Sequence, residues 1–407
     1  MLTALSVQAQ KTSVPISART TALDNVVSAE HRLPSAPMIE NRLVREGFEN
    51  VAVAAEDGRW VVTYENRIYR YEIRALEEVM RQVLPQVPGH QSVTFIPQNR
   101  GIPLVAVTVA THTEGAQDRA FVAASDISLD VDAYALGSLQ KANRSFRKVD
   151  LIIHPQFKAR FGNLEDAIES QINLAPEITT SLWKGMRLSA QVIIPLQNEL
   201  SPEGDYVRPG LVTLNQTLRL PESVFVSATA GQFTQNRYGI DAAVKKYFAH
   251  GRWAVRANAG YTGYASYRKG DGAHGPLDVL TAFLSVEYYV PRYDLVVGTT
   301  YGQFLYEDQG WRVDVLRRFG EVEIGFFALR TALGSNGGFN LTIPLFPHKY
   351  TRMGAVRIRT AEAFPLEYRY RGLPRGGIQY DTDNRIHPFL KRLHPVYVSN
   401  QLAGFQR

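Results

Sequence analysis

The sequence predicts a mainly β protein: a transmembrane antiparallel up-and-down β-barrel of roughly 12–14 strands, with a small N-terminal α/β domain ahead of it. Three observations predict this. Across residues 149–372, short segments alternate apolar and polar side chains with a period of two. The junctions between those segments alternate short and long. Residues 38–110 instead mix helical and strand periods in one compact stretch.

In chain order, residues 1–9 (MLTALSVQA) read as the remnant of a secretory signal, with Val7-Gln8-Ala9 as a small-residue cleavage site. A charged n-region is absent, so a disordered tail is the alternative. Residues 10–37 are polar, carry three prolines and read as a linker. Residues 38–148 form the α/β domain. A helix over 38–46 sets Ile39, Leu43 and Val44 on one face and stops at Gly47. Strands over 48–55 and 59–66 flank Glu56-Asp57-Gly58, a hairpin signal. A helix over 74–84 spaces Leu76, Val79, Met80, Val83 and Leu84 at helical intervals. Strands over 92–97 and 103–110 complete an α-β-β-α-β-β order that suggests two copies of one αββ unit. Asp130 and Asp132 are two apart on a strand, which places both on its wet face and argues against a metal site with Asp126.

The barrel segments follow. In 311–319, Trp311, Val313, Val315 and Phe319 share one face, and Arg312, Asp314 and Arg318 the other; Leu316 and Arg317 break the rule. Similar alternation places Met186, Leu188, Ala190, Val192 and Ile194 opposite Arg187, Ser189 and Gln191. Trp253, Val255, Ala257, Ala259 and Tyr261 stand opposite Arg252, Arg256 and Asn258. Leu280, Ala282, Leu284, Val286 and Tyr288 oppose Thr281, Ser285 and Glu287, and Leu366, Tyr368 and Tyr370 oppose Glu367, Arg369 and Arg371. A dry face outside and a charged face inside suit lipid around a polar lumen. A soluble sandwich alternates in the same way. The junctions decide between them: those at 183–185, 221–223, 250–251, 291–292 and 320–321 are tight, and those at 198–207, 266–277 and 307–310 are longer. Asn236-Arg237 is a tight exception. One tight rim and one long rim is the outer-membrane arrangement. Residues 373–407 stop alternating: 376–381 reads as one more strand, and 384–401 as partly helical, broken by Pro388 and Pro395. That stretch is expected to be a periplasmic tail or a plug.

Composition sets limits. The 407 residues contain no cysteine, which excludes disulfides, thiolate metal sites and a cysteine nucleophile. No run of about 18 apolar residues occurs, so no transmembrane helix is expected. A net charge of +6 over this length is mild and reads as a solvated surface, with no nucleic-acid partner. Twenty Tyr and 19 Phe against 5 Met suit strands with aromatic girdles.

The run Phe304-Leu305-Tyr306-Glu307-Asp308-Gln309-Gly310, then Arg317-Arg318-Phe319-Gly320, Gly325-Phe326-Phe327 and Ile343-Pro344-Leu345, resembles the YjbH-type exopolysaccharide outer-membrane barrel family. Asp308 and Gly310 match its D-x-G junction, Arg317 and Phe319 its arginine-Phe pair, and Gly325 its glycine-aromatic strand. Phe161-Gly162, Leu174-Ala175-Pro176, Gly185-Met186, Ile194-Pro195-Leu196 and Pro374-Arg375-Gly376-Gly377 extend the match in order along the chain. The resemblance implies an outer-membrane component of polysaccharide export or assembly in a Gram-negative bacterium.

No catalytic constellation stands out, so a non-enzymatic role is expected. The nine histidines are scattered, and His387 and His394 lack zinc-ligand spacing. Asp381-Thr382-Asp383 begins like a calcium loop, but Arg385 takes the third ligand position. Glu307 and Asp308 are adjacent on a turn, which points them apart rather than across a glycosidic bond. The inward arginines Arg252, Arg256, Arg312, Arg318, Arg369 and Arg371 are the candidates for polymer contact, since guanidinium forks bind carboxylate or phosphate. Tyr289, Tyr301 and Phe304 are candidate sugar-ring platforms. Structural cross-linking of the lumen is the alternative for the arginines. Expected partners are outer-membrane lipid, a polysaccharide and a periplasmic polysaccharide-export protein, with no cofactor and no metal. A barrel enzyme that modifies a glycan or lipid, and a structural or adhesive barrel, are the rival functions.

Overall fold

The computed structural model describes residues 35–113, 120–134, 136–161, 168–200, 202–268, 271–370, 376–382 and 390–405. The expected signal segment and the linker up to residue 34 lie outside the described residues, as do Arg371, Pro374, Arg375, Asp383 and His387. The last three linker positions are helical instead, because Pro37 sits in the first turn of α1 (Ser35–Glu46), where its missing N–H has no intrahelical partner to lose. Ile39 and Leu43 are buried on one face of α1. The helix stops at Gly47, whose φ of 113° lets its N–H and that of Phe48 both reach the Leu43 carbonyl.

β1 (Glu49–Glu56) and β2 (Arg59–Glu65) form the expected hairpin about Asp57-Gly58. α2 (Glu72–Val83) buries Leu76, Val79, Met80 and Val83. β3 (Ser92–Asn99) pairs parallel to β2; β4 (Ile102–Pro103), β5 (Ala106–Thr113) and β6 (Ala120–Ser128) follow. The sheet order is β1-β2-β3-β5-β6, with β4 on β3. Four strands follow α2 against two after α1, so the halves are not two equal αββ copies.

Twelve strands then run as a continuous antiparallel meander. They are β7 (Val149–Phe161), β8 (Ile168–Thr180), β9 (Met186–Asn198) and β10 (Arg208–Leu220); β11 (Val224–Phe233), β12 (Arg237–Phe248), β13 (Trp253–Arg268) and β14 (Asp271–Val290); and β15 (Leu295–Gln303), β16 (Gln309–Phe319), β17 (Val322–Thr331) and β18 (Gly334–Pro344). β19 (Thr351–Met353), β20 (Val356–Thr360) and β21 (Ala363–Arg369) complete a sheet of 15 strands.

The expected closed barrel of 12–14 strands is corrected here. The ladder is an open path from β19 to β21. β20 pairs parallel to the start of β7, Val356 to Thr360 against Val149 to Ile153, whereas β21 pairs antiparallel to β18. One nearly continuous segment, 356–369, therefore leaves the first meander strand and joins the last. The reason lies in its middle: Ala361 donates to Ile153, and beyond that point the strand follows β18.

Alternation holds along these strands. Trp311, Val313, Val315, Arg317 and Phe319 face outward, so Leu316 lines the cavity and Arg317 stands on the apolar face, the two expected exceptions to the polarity rule; Arg317 lies over the Phe319 ring. The long loop expected at 266–277 is mostly ladder, with Ser266 opposite Ala273 and Tyr267 opposite Gly272. Register shifts beside Gly263 absorb the glycine–proline-rich run that resembled a loop. The expected strand over 376–381 is irregular chain, and α3 (Pro395–Phe405) starts where Pro395 cannot continue an earlier helix. No helix among the described residues is long and apolar enough to cross a membrane, which says nothing of a wall built from strands.

The core is shared. Phe48, Trp60, Val62, Tyr64, Leu76 and Phe95 of the N-terminal unit belong to one buried cluster with Phe225, Tyr247 and Tyr289 of the large sheet and Leu393, Tyr397 and Val398 of the tail. At this proximal rim the junctions at 221–223, 249–252, 291–294 and 320–321 are short, but so are 234–236 and 332–333 on the opposite, distal rim, so the expected contrast of one tight and one long rim does not hold throughout.

Candidate functional site

The inward face of the large sheet encloses a cavity of about 2220 Å³. Seven of its lining side chains are Lys or Arg and four are Asp or Glu, a net of +3. On β14 the lining residues are Ser285, Glu287 and Tyr289, and on β16 they are Arg312, Asp314, Leu316 and Arg318, alternate positions in both cases. Strand geometry thus selects the polar set for the interior and leaves Trp311, Val313, Leu280 and Leu284 exposed outside.

The predicted arginines separate into three groups. Arg312 makes a two-point contact with Asp314, Nε to Oδ2 at 3.0 Å and Nη2 to Oδ1 at 2.8 Å, and reaches Glu367 Oε2 at 3.1 Å. Arg369 meets the other oxygen of the same carboxylate, Nε to Glu367 Oε1 at 2.6 Å. Both guanidinium groups lie against the Phe327 ring, at 4.1 and 5.9 Å. Arg256 lines the cavity and donates to Ser285 Oγ at 3.2 Å. Arg318 grips the tail: it donates to the Lys391 carbonyl at 3.0 Å, pairs with Glu323 at 3.0 Å and lies 4.8 Å from the Tyr397 ring.

Two candidates are corrected. Arg252 caps the turn before β13 and is exposed, because the strand begins one residue later at Trp253. Tyr301 is on the outward face, tilted against Trp311 at 4.6 Å, since β15 parity places Thr300 inside. Phe304 is fully buried with Phe283, Phe327 and Leu329. Tyr289 is inward and stacks on His394, ring centroids 3.6 Å apart and 9° from parallel, so its face is covered.

The family-motif junction has a structural role. Asp308 is buried, and its Oδ2 accepts from the Gly377 N–H at 2.8 Å, tying the β15–β16 junction to the Gly376-Gly377 turn. A side chain at Gly310 would place Cβ 2.1 Å from the Arg330 carbonyl, so only glycine allows that strand approach. Gly325 is opposite Leu316, and Arg317 and Phe319 point away from the cavity.

Sequence reasoning missed the tail's path. Tyr380 stacks on Phe233 at 5.3 Å and donates to Asp241 Oδ2 at 2.8 Å, while Asp381 exchanges bonds with Thr234. Residues 376–382 thus lie at the distal rim. Lys391, His394 and Tyr397 lie at the proximal rim, where Tyr397 donates to the Gly320 carbonyl at 2.6 Å. Burial, with the charges of Lys245 and Arg318, holds the His394 imidazole well below its usual pKa. Also missed were two buried ion pairs, Lys245–Glu287 at 2.7 Å and Arg187–Glu177 at 2.8 Å, the latter joined by His154 at 2.7 Å. The alternation of β12 around Asp241 and Lys245 was available as a signal for the first.

The N-terminal unit closes the proximal side. The Arg100-Gly101 turn, both of whose N–H groups donate to Glu65, sends Arg100 to Asn215 of β10 at 3.0 Å. Arg70 forks onto Glu321 at 2.7 and 2.8 Å. Asp150 accepts from both Arg67 and Arg357.

One solved structure, an outer-membrane protein of Vibrio cholerae (OmpT with its loop L8 deleted), shares 12% identity over 48% of this chain and 86% of its own, at a TM-score of 0.27. No curated protein matches. The family model for exopolysaccharide biosynthesis protein YbjH matches residues 3–346, which carry the Asp308–Gly310 junction and the Arg317–Gly325 strands; the chain belongs to the YjbH family of exopolysaccharide biosynthesis proteins.

Proposed function

We propose that the chain is an outer-membrane component of exopolysaccharide export or assembly, a non-catalytic barrel whose arginine-bearing lumen guides the polymer. The observation that carries this is the partition along single strands: apolar side chains exposed on one face, and a large net-positive cavity on the other. Lipid accounts for the first and an anionic or hydroxyl-rich polymer for the second. While residues 376–382 reach the opposite rim, the N-terminal unit and residues 390–405 of the tail would lie in the periplasm, since they share one core at the proximal rim. There they would hold the proximal mouth shut until a periplasmic export protein displaces them.

Two measurements test this. Detergent-extracted outer membranes are run with and without boiling; a fast band that shifts on heating supports a rolled wall, and protein found in the soluble periplasm removes the membrane reading. In a strain lacking the protein, surface polymer should fall. Normal surface polymer would leave a barrel without an export role.

A further inference from the structure

The wall has a slit between β7 and β21, and the cavity reaches it. On β14 and β16 only every second residue lines the cavity. On β7 the lining residues are consecutive, His154 through Lys158, and on β21 they are consecutive from Ala363 through Arg369. Consecutive residues of a strand border the cavity where its edge has no ladder partner, as Arg208 to Leu211 of β10 also do beyond the last β10–β11 pair. The pairing agrees. β20 holds β7 only as far as Ile153, and β21 pairs with β18 alone, so β7 beyond Ile153 has β8 on one side and no ladder on the other.

Unpaired backbone edges at bilayer depth are tolerated where they meet water or a polar group, not hydrocarbon. The side chains say which polar group suits. Outside the slit are Phe157, Phe339 and Tyr368, all exposed and apolar or amphipathic. Inside, Lys158 borders the opening from β7 and has no carboxylate partner among the described residues; Arg208 lines the cavity near by, and Arg369 faces it from β21.

We propose that this slit is a lateral passage for an anionic amphiphile, with the acyl chain in the bilayer and the phosphate head in the lumen against Lys158. The proposal rests on the outer-membrane reading above. Two sources share this chemistry, a glycerophospholipid and a lipid-anchored saccharide. For a chain of this family, the second would deliver a glycan to the lumen from the side rather than through the filled proximal mouth.

The absence of cysteine makes the test clean. Phe157 of β7 and Phe364 of β21 each lie four residues beyond the last β7–β20 pair, Ile153–Thr360, on the two lips of the opening, so a disulfide between Phe157→Cys and Phe364→Cys should lock the slit. The full chain is reconstituted in vesicles of phosphatidylglycerol and phosphatidylethanolamine, or in the same vesicles with added lipopolysaccharide. A photo-cross-linking phenylalanine analogue replaces lumen-facing Gln156 or outward-facing Val313. Expected are lipid adducts at both positions, with the adduct at 156 lost on oxidation of the cysteine pair, restored by reductant and lost with Lys158→Glu. Adduct mass identifies the source. Adducts at 313 but none at 156 would overturn the slit while leaving the membrane reading intact. An adduct at 156 that persists under the disulfide would also overturn it. No adduct at either position would overturn both.

Discussion

Glu72 opens α2 at the seam between the N-terminal unit and the tail, close to the Glu362–Arg392 ion pair. Burial raises its carboxyl pKa from 4.5 to about 7; Glu362 and Glu65 add to the shift, and Arg392 and a hydrogen bond from Asn66 oppose it. The folded chain therefore holds a proton that the unfolded chain has lost between pH 4.5 and 7, and the stability this group contributes falls as pH rises through that window. Glu72→Gln should match the parent at pH 4 and melt a few degrees higher, ~2–4 °C, at pH 8, as read by calorimetry. Arg318 is the other residue with a measurable consequence, because one guanidinium holds the Lys391 carbonyl, the Glu323 carboxylate and the Tyr397 ring. Losing a charged hydrogen bond costs about 1.5–3 kcal/mol. Arg318→Met should thus speed amide exchange in α3 by roughly 10–100-fold while leaving exchange in β16 little changed. Neither role was visible in the sequence. Arg318 was legible as an inward arginine from parity alone, but its partners come from a tail about 70 residues away, and period-two patterns carry no information on such contacts.

Strands were the most legible level, because each repeats its evidence along its own length. Parity placed Arg256, Arg312, Arg318 and Arg369 inside, and the structure places them there. It failed at ends. Arg252 has the right parity but precedes the first strand residue, and Tyr301 was chosen for its ring and not its face. Glycine and proline misled in the other direction at 266–277, where a bulge rather than a loop accommodates them. Parity also makes a sharp prediction within one strand. Val313 faces outward and Leu316 lines the cavity, three residues apart on β16. An arginine facing lipid near the bilayer midplane costs about 2–4 kcal/mol, whereas a lumen arginine meets water. Val313→Arg should cut the heat-modifiable fraction in outer membranes sharply, and Leu316→Arg should leave it near the parent level. Equal losses would mean that the outward face does not meet lipid.

At the scale of the whole molecule, the mixed helix-and-strand period identified residues 38–110 as distinct, yet it could not show that their core continues into the sheet and tail. Buried Phe225, Tyr247 and Tyr289 read as ordinary strand aromatics until Tyr64, Leu393 and Tyr397 are seen in the same cluster. Closure was over-read for a related reason. Junction lengths report that strands are antiparallel neighbours, but say nothing about how the first and last strands meet, which here depends on 356–369 changing partners. In the outer-membrane reading proposed above, the same arrangement would decide conductance. The tail bonds to Thr234, Asp241 and Asp308 at the distal rim, and to Gly320 and Arg318 at the proximal one, so it occupies both ends of the cavity. A chain ending at residue 375 loses those contacts but keeps every strand of the large sheet. In planar bilayers the full chain should conduct little, and the shortened chain should show larger and more frequent current steps, provided that its band still shifts on heating. If the shortened chain stays silent while still heat-modifiable, the Arg100-Gly101 turn and the N-terminal unit suffice to shut the proximal mouth. Arg100→Ala in the shortened chain, which breaks the bond to Asn215, should then restore the current.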